Sequence, residues 1–395
     1  MKIAIVAGIF PKISETFILN QIVSLIELGH EVNIFALWKP AADEKIHNTV
    51  FDYDLLKKTY YFDIPEKRFK RLFAALEIIF KNIHRYPKQI SRCFDFQKYT
   101  LYEALNNLFK IVPFLDGHFD VIHCHFGPNA NEFIFLKEII KNTKMFVTFH
   151  GYDIRLGLKD KGSMYKELFE KIDGVYVTCQ YCNDMLESFG CPKEKLIILP
   201  NGIDMDKFSP SQKHNGSKVV ITTVGRLVKE KNIVFGLHIL KALVEEKHRH
   251  FEYYVVGDGY MREEIKHAIH ELHLQDTVHL LGALTENETI DVLKKTDILL
   301  LPSENEAFGV ILLEAQAMEI PVIATDVGGV KEAMIDNKTG YLISFDAQVA
   351  KDKIMKLVND QSVLDKMGKE GRKFVEENFN IKPIIKRMVS TYNLA

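Results

Sequence analysis

The 395-residue chain is too long for one hydrophobic core, so two domains of about 150 to 200 residues are expected. With 47% hydrophobic and 26% charged residues its composition is ordinary for a soluble globular protein. A formal net charge of -2 gives no global reason for a nucleic-acid partner, so any electrostatic recognition must be local.

From the N-terminus, residues 3–10 are apolar up to Pro11, too short a run for a membrane span and without the flanks of a signal peptide. They read as a buried first strand, 2–7. Ser14 is expected to cap a helix that runs to Leu28, with Gly29 as its stop. A second strand, 31–36, follows. Segment 65–113 then lacks any strand pattern. Lys67, Arg68, Lys70 and Arg71 stand beside Phe69, Leu72, Phe73, Leu76, Ile79 and Phe80 at helical spacing. The basic edge continues through Lys81, Arg85, Lys88 and Arg92. Two readings fit: a helical hairpin whose apolar stripe packs on the first sheet, or an amphipathic surface over 67–92 that meets an anionic membrane.

Short apolar runs continue at 121–123, 145–148, 174–178 and 196–199, and after a polar stretch at 219–224, 253–256, 278–280, 298–301, 322–324 and 340–343. Such runs suit parallel strands buried on both faces, and their alternation with helical segments argues for α/β layers. Between the two series lies 201–217, with Gly202, Pro210, Ser211, Asn215 and Gly216, the best linker in the sequence. The expected organisation is a doubly wound domain over 1–204 (with the helical segment 65–113), a second over 205–375, and a terminal helix within 376–395. That helix carries Phe379, Ile381, Ile384, Ile385 and Met388 on one side. Two such sheets leave a cleft between the carboxyl ends of their strands, where open α/β sheets bind ligands. No stretch reaches the roughly 18 apolar residues of a spanning helix. The five cysteines read as reduced thiols of a cytosolic protein.

Two loops carry the chemistry. After strand 298–301 comes the loop 302–309 and then a helix pattern over 310–318. Gly309 lets a ligand approach the backbone, and the free N–H groups of the first turn, with the helix dipole, make an anion site. Glu306 before the helix and Glu314 within it face one pocket at different depths. Carboxylates beside an anion site suit a phosphate flanked by hydroxyl-rich groups; a surface glutamate plus a lysine-paired helix glutamate is the plain alternative. The second loop follows strand 219–224 and holds Gly225, Arg226, Glu230 and Lys231. Arg226 as a fork and Lys231 as a point charge are placed to clamp a diphosphate. Each charge-assisted bond contributes about 1.5–3 kcal/mol. Basic residues at such junctions are also common as surface charge, and the two loops together make the stronger case.

The run from Glu306 through Ala307, Phe308 and Gly309 to Glu314, continued to Gly328 and Gly329, resembles the E-x7-E signature of the family-4 retaining glycosyltransferases. Gly225, Arg226 and Leu227 with Glu230 and Lys231 resemble that family's phosphate clamp, and Asn201, Gly202, Ile203 and Asp204 its interdomain junction. The resemblance covers nearly the whole chain. Residues 10–21, FPKISETFILNQ, and 120–127, DVIHCHFG, are similar to the branch that builds bacterial exopolysaccharides such as colanic acid and amylovoran.

The resemblance implies a GT-B fold, two Rossmann-like domains facing across a cleft, with the terminal helix crossing back to the first. It implies a retaining, metal-independent hexosyl transfer with no cofactor, from a nucleotide diphosphate-sugar to a glycan or polyprenyl diphosphate-linked acceptor. The setting it implies is the cytoplasm at the inner face of the plasma membrane. Arg226 and Lys231 would hold the donor diphosphate, with Gly225 and the amides around Gly309 and Val310. Glu306 would contact hydroxyls of the transferred sugar and Glu314 the ribose, with Phe308 in the same donor loop. His150 would stand across the cleft near that sugar. Many relatives carry a Gly-Gly loop after the first strand; here Gly8 serves in part. The acceptor side is assigned to Ser14, Glu15, Thr16, His125 and Asp153.

Cys179 and Cys182, with Cys191 nearby, read as plain thiols, because a zinc site needs a fourth ligand at sensible spacing; no metal site is expected. His123 and His125 share one face of a strand. Gly257, Asp258 and Gly259 form a turn placed to approach the nucleotide base. Four rivals remain: a nucleotide-sugar 2-epimerase or a phosphorylase of the same fold, a non-catalytic sugar-nucleotide-binding protein, and an NAD-dependent oxidoreductase. The last is disfavoured by the absence of G-x-G-x-x-G after the first strand.

Overall fold

The computed structural model describes residues 1–210, 218–246 and 250–394. Its first sheet is built from β1 (Lys2–Ile9), β2 (Glu31–Trp38), β3 (Thr59–Tyr61), β4 (Val121–His125), β5 (Lys144–Phe149), β6 (Gly174–Val177) and β7 (Leu196–Ile198). They lie in the order β3-β2-β1-β4-β5-β6-β7, every neighbouring pair parallel. The second sheet holds β8 (Lys218–Val224), β9 (His250–Val256), β10 (Val278–Gly282), β11 (Ile298–Leu301), β12 (Val322–Thr325) and β13 (Gly340–Ile343). Its order is β10-β9-β8-β11-β12-β13, again all parallel. These are two doubly wound Rossmann-like sheets.

The apolar runs become strands because helices cover both sheet faces. Every residue of β4, β6, β11 and β12 is buried, so no polar alternation is required of them. β3 has no run of this kind: Thr59, Tyr60 and Tyr61 sit at the sheet edge, where none of the three is buried.

Strand order reverses between β1 and β4 in the first sheet and between β8 and β11 in the second. These are the switch points at which adjacent loops part to opposite faces and open a crevice. The loops after β1, β4, β8 and β11 all contribute to the cleft.

The chain passes from one sheet to the other between Ile198 and Lys218; residues 211–217 of the linker, including Ser211, Asn215 and Gly216, lie outside the described residues. It returns at Asn380. There the Ile203 N–H donates to the Phe379 carbonyl (2.7 Å), and the Ile381 N–H donates to the Ile203 carbonyl (3.0 Å). The C-terminal helix is therefore two helices, Gln361–Phe379 and Ile381–Leu394, broken where Asn380 takes an extended conformation. The second buries Ile381, Ile384, Ile385, Met388 and Tyr392 in the same core cluster as Ile3, Ile5 and Ile22. Burying one such aliphatic side chain contributes about 1.5–3 kcal/mol.

Two local expectations are corrected. Ser14 does not cap the first helix, which spans Thr16–Glu27 with Glu15 at the cap position and no side-chain cap bond; Gly29 ends it with φ +82°. In segment 65–113 the helices are Arg68–Asn82, Pro87–Cys93 and Leu101–Leu115. The apolar stripe of the first does not pack on the sheet. That helix rests on Leu101–Leu115 by its other face and leaves Phe69, Leu72, Phe73, Leu76 and Phe80 exposed.

Candidate active site

Between the two sheets lies a cavity of about 850 Å³, within the range of ligand pockets. On the second-sheet side, β8 ends at Val224 and the chain turns through Gly225, Arg226 and Lys231, all on the cavity wall. The backbone pins this loop to its neighbours. The Leu227 N–H donates to the Asp258 carbonyl (2.9 Å), and the Glu304 N–H donates to the Glu230 carbonyl (2.8 Å). The second bond ties the β8 loop to the β11 loop, and so brings Lys231 to Glu306. The two form an ion pair with side chains only 19% and 14% exposed. Ser303 Oγ lies 3.5 Å from the same carboxylate.

The β11 loop ends at Gly309, whose φ of +89° only glycine adopts without strain. That turn starts the helix Val310–Ala317 directly, with no side-chain cap at its N-terminus. The Leu312 N–H donates to the Gly309 carbonyl (2.9 Å), which leaves the N–H groups of Val310 and Ile311 as the anion-binding end, with Phe308 and Val310 on the cavity wall. Glu314 lies on the flank of this helix and also lines the cavity. Burial pushes its carboxyl up to about 7, while Lys207 nearby pulls it down. Lys207 itself pairs with Glu286.

Across the cavity stand Gly8 near the end of β1, Ser14, Glu15 and Thr16 after it, and His150 after β5. Burial raises the pKa of Glu15, countered by its pair with Lys12 at 2.7 Å and by Arg226. An acid of the first domain thus faces the cation of the second. His150 packs its ring on Phe17 and Phe126, at centroid distances of 4.4 and 4.8 Å. Its Nε2 lies 3.0 Å from His125 Nδ1, and its Nδ1 is buried without a hydrogen-bond partner among the described residues. Burial first, then the neighbouring imidazoles, lowers the pKa of His150 well below the usual value, so the ring is neutral.

Two acceptor-side assignments are corrected by burial. His125 does not line the cavity: it is fully buried behind His150 and stacked on His123 at 5.0 Å, and burial depresses it to about 3. Asp153 is likewise fully buried. It accepts backbone N–H bonds from Gly127, His150, Gly151 and Ile154, while burial raises it to about 6. It shapes the turn that carries His150 and touches no ligand space. Asp258 and Gly257 do reach the cavity wall.

Sequence reasoning missed Lys12, Trp38, His47, Asn129 and Arg155 on the same wall. Only Lys12 had a signal, in the 10–21 run. Of the remainder, Trp38 ends β2, His47 lies in the segment after it, and Asn129 and Arg155 lie on the short helices that follow β4 and β5. The domains are also tied together: the Gln180 and Tyr181 N–H groups donate to Glu332 at 2.7 and 2.9 Å, and Lys45 pairs with Glu288 at 3.2 Å. Cys179 and Cys182 are buried; Cys179 Sγ lies 3.1 Å from the Ala307 carbonyl. Among the described residues no group of three or more His, Cys, Asp or Glu side chains is placed to hold a metal ion.

Comparison with known proteins agrees with the fold. Residues 14–207 match the family described as Glycosyltransferase Family 4, and residues 204–374 the one described as Glycosyl transferases group 1. The chain is 30% identical to WcaL of Salmonella typhimurium, named as a colanic acid biosynthesis glycosyltransferase, over 99% of both chains. It is 29% identical to the amylovoran biosynthesis glycosyltransferase AmsK of Erwinia amylovora, over 96% of both. In fold it is similar to sucrose-phosphate synthase from Thermosynechococcus elongatus, with a TM-score of 0.77 and 19% identity, covering 100% of this chain and 98% of that one. The two facing sheets form a GT-B fold, and the chain belongs to the family-4 glycosyltransferases.

Proposed function

We propose that this glycosyltransferase moves a sugar, with retention of anomeric configuration and without a metal ion, from a nucleotide diphosphate-sugar to a glycan or polyprenyl diphosphate-linked acceptor in exopolysaccharide biosynthesis. The observation that carries the reading is the convergence of Arg226, Lys231 and the bare helix N-terminus at Gly309 on one cavity, with Glu306 and Glu314 beside them. Two cations and the positive end of a helix dipole stabilise the negative charge that a leaving diphosphate develops, in a preorganised site. Glu306 accepts hydrogen bonds from the transferred sugar, and Glu314 from the ribose. When the donor enters, its diphosphate takes Lys231 from Glu306, and Arg226 turns to the same phosphates.

The neutral His150 is suited to a hydrogen bond with a sugar hydroxyl and unsuited to ion pairing. Glu15, the first-domain carboxylate on the cavity wall, is paired with Lys12 and belongs to the acceptor side in this proposal, so it is not the nucleophile toward the sugar. The acceptor hydroxyl therefore attacks from the leaving-group face, and an oxygen of the departing diphosphate takes its proton. The acceptor enters along the wall of Ser14, Glu15, Thr16 and Trp38, whose exposed indole offers an apolar platform. The relatives' exopolysaccharide roles support the pathway.

The test is transfer from a panel of nucleotide diphosphate-sugars in EDTA, with nuclear magnetic resonance of the product. An α-linked product from an α-linked donor is expected. A β-linked product overturns retention, activity lost in EDTA and restored by a divalent cation overturns metal independence, and a free, epimerised nucleotide-sugar overturns transfer.

A further inference from the structure

The helix Arg68–Asn82 is apolar on two opposite faces. Its inner face, with Ala75 fully buried and Ala74, Ile78 and Ile79 half-buried, rests on Leu101–Leu115. Its outer face carries Phe69, Phe73 and Phe80, exposed by 81%, 71% and 84%, together with Leu72, Leu76 and, just past the helix end, Ile83. At helical periodicity these six side chains fall in one stripe about 100° wide. A continuous exposed stripe of this kind marks an interaction surface.

Charge names the occupant. Segment 65–93 holds eight basic residues and two acidic ones, in a chain whose formal net charge is -2. Lys81 is paired with Glu77 and Arg85 with Asp116. Lys67, Arg68, Lys70 and Lys88 are exposed and carry no ion pair among the described residues. At helical periodicity Arg68 and Lys70 flank the stripe, one at each edge, with Lys67 just before the helix and Lys88 in the next one, so cations free to take anions border the apolar surface. A second copy of the chain would bring the same basic rim against this one, and like charges would oppose the contact. An anionic bilayer satisfies both features at once: acyl chains receive the phenyl rings and headgroup phosphates receive the lysines and arginine.

We infer that the helix Arg68–Asn82 docks this protein on an anionic lipid bilayer, lying in the interface plane with Phe69, Phe73 and Phe80 inserted and Lys67, Arg68, Lys70 and Lys88 at the headgroups. The surface lies outside the cavity, so its action is read without transfer and without knowing the sugar or the acceptor.

The experiment is flotation of the full chain with phosphatidylcholine vesicles, with and without added phosphatidylglycerol, at low and high salt. The protein floats with the anionic vesicles, and salt releases it. Phe73→Ser/Phe80→Ser and Lys67→Glu/Lys70→Glu change exposed positions only, and their thermal melts and nucleotide affinity stay native. The aromatic pair lowers partition at least ten-fold. Each cation removed lowers it about five-fold. The inference is overturned by absence of flotation with anionic vesicles, or by flotation that the aromatic variant leaves unchanged. It is equally overturned by a self-associated species in sedimentation equilibrium that the aromatic variant dissolves without any vesicle binding; that result makes the stripe a contact between copies.

Discussion

At the floor of the cleft the two domains touch through Gly151 and Ala307. A Cβ built on Gly151 would stand 2.3 Å from the Ala307 Cβ. Non-bonded carbon atoms rest at about 3.5–4.0 Å, so Gly151→Ala forces one wall back by about 1.5 Å. The φ of Gly151, +102°, adds backbone strain to the collision. Gly151 follows His150, and Ala307 follows Glu306. The retreat therefore separates the two side chains proposed to meet the transferred sugar. A misplacement of about 1 Å costs on the order of 100-fold in rate, which sets the expected fall in kcat. The proposed diphosphate clamp is built from groups of the second domain, so nucleotide affinity is expected to change little. Steady-state transfer measured beside calorimetric titration of the nucleotide separates the two effects. Ala307→Gly removes the opposing methyl, and Gly151→Ala/Ala307→Gly then recovers at least ten-fold of the lost rate through coupling of contacting residues. Near-native kcat in Gly151→Ala, or no recovery in the double variant, would show that this contact does not set the spacing of His150 and Glu306.

Arg226→Ala lowers kcat/KM by about 2–4 kcal/mol of transition-state stabilisation; near-native activity would remove Arg226 from the clamp. Burial raises the Glu314 carboxyl to about 7, and in the proposed role only its ionised form accepts both ribose hydroxyl bonds. Affinity for a nucleotide-sugar thus falls as pH drops from about 8 to 6 in the native protein and stays flat in Glu314→Gln; a flat native profile contradicts the assignment. The same raised pKa means that the folded state binds the extra proton between the ordinary carboxylate range and about 7, so ligand-free stability declines as pH rises through that window. In Glu314→Gln that decline is absent, so the melting-temperature difference between pH 5 and 8 is smaller than in the native protein. Tyr392 places its hydroxyl against His123 Nδ1 in a fully buried setting. Tyr392→Phe costs about 1–3 kcal/mol in a urea unfolding measurement and leaves nucleotide affinity unchanged, because the bond anchors the terminal helix and not the cleft.

Most of this architecture was legible in the sequence for a simple reason. A parallel strand buried on both faces, such as Ile298–Leu301, needs an unbroken apolar run, and few other elements produce one. Gly309, Glu306 and Glu314 were legible because a strand, a loop and a helix follow one another there within a few residues. What escaped depends on distant packing. β3 is an edge strand of Thr59, Tyr60 and Tyr61, too short and too polar to show alternation. His125 and Asp153 have the side chains of functional residues, yet depth decides their roles, and nothing local to either position reports depth. The stripe of Arg68–Asn82 shows the opposite limit. Periodicity identifies its apolar residues but not which of two apolar faces meets the protein. The contact of Gly151 with Ala307 joins two domains across 156 positions of sequence and leaves no local trace.

The central claim is that the cavity holds a donor diphosphate between Arg226, Lys231 and the helix N-terminus at Gly309. Its most direct test is calorimetric titration with UDP and GDP in EDTA, for the native chain, Arg226→Ala and Lys231→Met. Saturable binding of one nucleotide at one site is expected, weakened about ten- to hundred-fold in each variant, the loss of one charge-assisted hydrogen bond. Binding that both variants leave unchanged, or no binding of either nucleotide, would contradict it.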